Sequence, residues 1–60
     1  MNATDVSALA HYLFAMHGAR AIAEAAQKVE SFREAGDEEQ ARAWQRVEEQ
    51  LREMRGPRQS

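Results

Sequence analysis

Glycine and proline interrupt this chain at only three internal places: Gly18, Gly36 and the Gly56-Pro57 pair. The residues between them are poor material for strands. Val and Ile are sparse, Ala is abundant, and Glu, Gln, Arg and Leu fill most of the remainder, so propensity and pattern both predict an all-α fold. The glycines then act as helix stops, and the spacing predicts helices over 4–17, 19–35 and 38–55 with a frayed tail at 56–60.

The first segment carries Val6, Leu9, Ala10, Leu13 and His17 at helical spacing, with Thr4 as N-cap and Asp5 in the first turn, where a negative charge suits the helix dipole. Tyr12, Phe14 and Met16 widen its apolar surface beyond one stripe. No Asp, Glu, Lys or Arg occurs from Val6 to Ala19. In the second segment Ile22, Ala25, Ala26, Val29, Phe32 and Gly36 share a face, and Glu24 precedes Lys28 by one turn. In the third, Ala41, Trp44, Val47, Leu51 and Met54 form a narrow seam of coiled-coil type, flanked by the i,i+4 pairs Glu38–Arg42 and Glu48–Arg52.

The two joints differ in legibility. At "EAGDEEQ", Gly36 ends the second helix, Asp37 caps the third, and Gln40 follows three residues on in a capping-box pattern. Glu38 and Glu39 suit the positive end of the dipole, so the acidity follows from helix mechanics without a ligand. At His17-Gly18 two architectures stay open. A break gives a small three-helix bundle; continuity gives a two-helix antiparallel hairpin with a bent long first helix. Ala19 and Arg20 are poor caps, which argues against the break. An unbroken helix would leave half its apolar side uncovered, which argues for it, and the three-helix bundle is favoured.

Size limits what such a bundle can do alone. A 60-residue domain buries only about 60% of the surface that its unfolded chain exposes. With no cysteine, disulfides, thiolate zinc sites and thiol nucleophiles are excluded. The addition that remains is self-association or docking on a partner, so completion by oligomerisation is expected. No apolar run approaches a membrane span, and Met1 to Asp5 lacks the basic start of a signal peptide, so the expected setting is a bacterial cytoplasm.

Catalytic chemistry is thinly represented. His11 and His17 stand six residues apart, about 120° around a helix, which is not the i,i+4 spacing of a two-His metal site. Ser7 and Ser31 lie within helices and no nucleophile elbow or phosphate loop surrounds them. No catalytic residue, metal ligand or cofactor is therefore expected, and the chain does not read as an enzyme. A nucleic-acid-binding regulator of helix-turn-helix type is the alternative, with Arg42, Arg46, Arg52 and Arg55 on the third helix. Its reading end would begin Asp37-Glu38-Glu39, which repels phosphate.

His17 to Leu51 resembles a family of small alphaproteobacterial helical proteins known as a domain of unknown function. Its members share a Gly after a short first helix, an Ala-Gly-Asp turn and a Trp early in the last helix. Gly18, Ala35-Gly36-Asp37 and Trp44 match that pattern, while Ala19-Arg20 depart from it, since acidic residues follow the Gly in the family. The resemblance implies three helices and supplies no activity. The function expected from the residues is a protein–protein interaction or regulatory module that self-associates, as a homodimer or higher, through an interface of Leu9, Tyr12, Leu13, Phe14 and Met16.

Overall fold

The computed structural model describes residues 3–56, and within them the chain forms three helices: α1 (Ala3–His17), α2 (Arg20–Glu34) and α3 (Glu38–Arg55). The three-helix bundle is thus the architecture, and the long bent hairpin is not. α1 begins one residue ahead of Thr4, so Thr4 lies inside the helix instead of capping it, and the residue before Ala3 lies outside the described residues. Of the tail expected over 56–60, residues 57–60 likewise lie outside them.

Gly18 makes the first joint. Its φ of +65° is a left-handed conformation that any side chain would strain. Its N–H donates to the Phe14 carbonyl at 2.8 Å, closing α1 with a single left-handed cap. α2 then starts with no side-chain cap on Ala19. Its first turn is tightened instead, with the Ala21 N–H on the Gly18 carbonyl at 3.0 Å and the Ile22 N–H on the Ala19 carbonyl at 3.2 Å. A helix can therefore begin here without the capping residue that sequence rules require.

The second joint has no slack. Gly36, with φ +82°, donates to the Arg33 carbonyl, and the next amide, Asp37 N–H, reaches back to the Phe32 carbonyl at 2.8 Å. Together these form a Schellman motif. The Asp37 side chain meanwhile accepts from the Gln40 N–H at 3.2 Å and caps α3, an arrangement that contributes about 1 kcal/mol. The reciprocal half of the expected capping box is not made, because the Asp37 N–H already belongs to α2.

α3 is the organising element. α2 lies along it most extensively, α1 packs on it beside α2, and α1 and α2 meet only lightly. The centre is built from small residues: Ala10, Ala21, Ala25 and Ala41 are buried with Val6, Val29, Val47 and Leu51. Leu51 and Val47 are the largest side chains removed completely from water. Leu9, Leu13, Phe14, Ile22, Trp44 and Met54 lean against this cluster from its rim, each half-buried. Alanines at the crossings let the backbones approach closely, and the larger side chains then close the periphery. The buried line of α2 runs through Ala21, Ala25 and Val29. It is rotated towards Ala21 relative to the face expected from Ile22 and Ala26, which are only half-buried.

Candidate protein–protein interface

α1 places its apolar side chains all around its circumference, unlike α2 and α3, which concentrate theirs on one side. Only one side of α1 can face the bundle, so part of its apolar surface must point outward. Val6 and Ala10 are the residues it buries, and Leu9, Leu13 and Phe14 flank them against the core. Tyr12 and Met16 point away and are 59% and 63% exposed. Ala8, His11 and Ala15 are exposed with them. The five residues expected at an interface therefore divide: three contribute to the bundle rim, and two stand in solvent. Ala8 and Ala15 join the outward surface, and nothing in the sequence sets them apart from the other alanines.

This outward side is apolar and carries no formal charge from Val6 to Ala19. Its one internal polar anchor is His11, whose Nδ1–H donates to the Ser7 carbonyl at 2.8 Å, one turn back along the same helix. That bond holds the ring along the helix surface. His17 is the last residue of α1, as its place before Gly18 predicts, and its Nδ1 stands 3.6 Å from Glu24 of α2. Glu24 is thus turned across the joint and not along its own helix towards Lys28. Both side chains are well solvated, so the pair adds little to stability.

The chemistry available elsewhere is limited. Among the described residues no three His, Asp or Glu side chains converge to hold a metal ion, and no pocket opens between the helices. No buried side-chain nitrogen or oxygen lacks a hydrogen-bond partner among them either. On α3, Arg42, Arg46, Arg52 and Arg55 are exposed, but so are Glu38, Glu39, Glu49 and Glu53. Arg52 is in addition bound to Glu48 at 2.7 Å, as the i,i+4 spacing predicts. The arginines share their surface with carboxylates and form no continuous basic stripe.

No family model, curated protein or solved structure matches this chain. The family resemblance rests on Gly18, Ala35-Gly36-Asp37 and Trp44 alone, residues whose roles here are a helix stop, a helix-to-helix turn and a rim contact of the core. No helix among the described residues is long and apolar enough to cross a membrane.

Proposed function

We propose that this protein is a small interaction or regulatory module that associates with itself through the outward side of α1, and that it acts in the cytoplasm. The observation that carries this reading is the exposure of Tyr12 and Met16 on a helix without a charged residue from Val6 to Ala19. Aromatic and methionine side chains on an uncharged surface are characteristic of association sites. A chain whose centre is half alanine also gains more from covering such a surface than a larger domain would. Leu9, Leu13 and Phe14 border the surface and would be partly covered with it. The mixed charge of α3, and the acidic residues at its start, weigh against a nucleic-acid role.

The test is sedimentation equilibrium on wild type and on the Tyr12→Glu/Met16→Glu double variant. Both positions are exposed, so the variant keeps its helical circular dichroism while charge at the contact drives dissociation. The expected outcome is a wild-type dimer or higher species and a folded monomeric variant. Wild type that remains monomeric at high micromolar concentration would refute self-association. Substitution at Leu13 or Phe14 is the poorer choice, because these side chains also support the core.

A further inference from the structure

We propose that two copies of the protein exchange α1: Gly18 turns from its left-handed to the right-handed helical conformation, α1 and α2 run on as one helix, and each α1 docks on α3 of the other copy. The contact is made by the inner side of α1, through Val6 and Ala10, so it stands apart from association through Tyr12 and Met16.

The joint between α1 and α2 is one residue wide. Ala19 already lies in the right-handed helical region, at φ −64° and ψ −20°. Gly18, at φ +65°, is the residue between the two helices that departs from it. Straightening Gly18 sacrifices none of the backbone hydrogen bonds at the joint. Its own N–H, on the Phe14 carbonyl, already has the i→i−4 spacing of an α-helix. The amides of Ala21 and Ile22, which now reach three residues back, each move to the carbonyl one residue earlier. No side-chain cap is lost, since α2 has none. The His17–Glu24 pair is solvated, and parting it costs little.

The surface that α1 leaves behind names the occupant. α2 and α3 are joined by a short turn and lie along each other, so the start of α2 sits near the end of α3. A straightened α1 therefore runs past the end of its own α3, exposing Val6 and Ala10 and opening the side of the core that they covered. α1 packs mainly on α3 and only lightly on α2, the helix to which it is joined. The same interface can thus form between chains with the same buried residues, and a second copy carries the matching half of it. Reciprocal exchange closes the pair about a two-fold axis, a favourable route to a dimer where a short hinge separates the exchanged element.

Gly18→Ala tests the hinge, because no atom lies within 4 Å of an added Cβ and the substitution acts through backbone conformation alone. Alanine opposes the left-handed bend and favours the continuous helix, so dimerisation should tighten by about 100-fold or more over wild type. Gly18→Asn tolerates the bend and should tighten it far less. Sedimentation equilibrium reads both. The chain has no cysteine, so spin labels can be placed through Ala8→Cys and Glu30→Cys, both at exposed positions. Double electron–electron resonance on labelled Gly18→Ala protein, diluted into excess unlabelled Gly18→Ala, should place the labels about 33 Å apart in a continuous helix. The bend in the wild-type monomer gives a shorter distance. The exchanged dimer should also survive Tyr12→Glu/Met16→Glu. A Gly18→Ala protein that stays monomeric at high micromolar concentration, folded or partly melted, would overturn the exchange. So would a dimer with the short distance that dissociates on Tyr12→Glu/Met16→Glu, a result that leaves association through the outward side of α1 intact.

Discussion

Replacing Leu51 with alanine should destabilise the protein by about 2–5 kcal/mol, the range for removing a leucine that cannot be compensated by local collapse. Leu51 is fully buried and, with Val47, is the largest side chain in that condition. Its neighbours in the cluster are mostly Ala and Val, which have few rotatable atoms with which to fill a cavity. A domain of this length has a total stability of only about 3–9 kcal/mol at the usual value per residue. The substitution should therefore remove most of the cooperative transition. Urea denaturation followed by helical circular dichroism checks this. A midpoint close to that of wild type would mean that Leu51 does not anchor the core.

The second large effect comes from adding atoms. Ala25 is fully buried at the centre of α2, where the small side chain permits close approach to α3. Ala25→Leu should cost about 1–3 kcal/mol despite raising the hydrophobicity of the chain, because the helices must separate or the new side chain must leave its preferred rotamer. The sign is the informative part. A model in which the core is limited by its lack of apolar volume predicts stabilisation, whereas close packing around alanine predicts loss. A thermal melt that moves upward for Ala25→Leu would refute close packing at this crossing.

These two substitutions also mark how far the sequence could be read. The stop at Gly36, the cap at Asp37 and the seam of Ala41, Val47 and Leu51 are local patterns, and the second joint and α3 follow from them. The Gly18 joint was ambiguous because sequence rules look for a capping side chain, and α2 starts without one. Nor does periodicity separate the two sides of α1: a helix that is apolar all round has no preferred face until α3 selects one. The burial of Val6 and Ala10, and the exposure of Tyr12 and Met16, are therefore tertiary results. Ala21 escaped notice for a related reason, since alanine fits a core and a surface equally well and only the crossing of the backbones decides between them.

Asp37 has a consequence for the order in which the molecule opens. Its amide closes α2 while its carboxylate starts α3, so neither helix end can fray without loosening the other. The α1–α2 joint is held only by the backbone bonds around Gly18 and the solvated His17–Glu24 pair, with no side-chain cap, and the two helices touch only lightly. The α2–α3 hairpin should behave as one cooperative unit and α1 as a separate, less protected one. Amide hydrogen exchange would then be faster along α1 than around Val47 and Leu51 in the isolated chain, and pairing of two copies would slow it selectively in α1. Uniform protection across all three helices in a monomeric sample would contradict this hierarchy. The element that opens most readily is also the one proposed to meet a partner, so association and the local stability of α1 would be coupled.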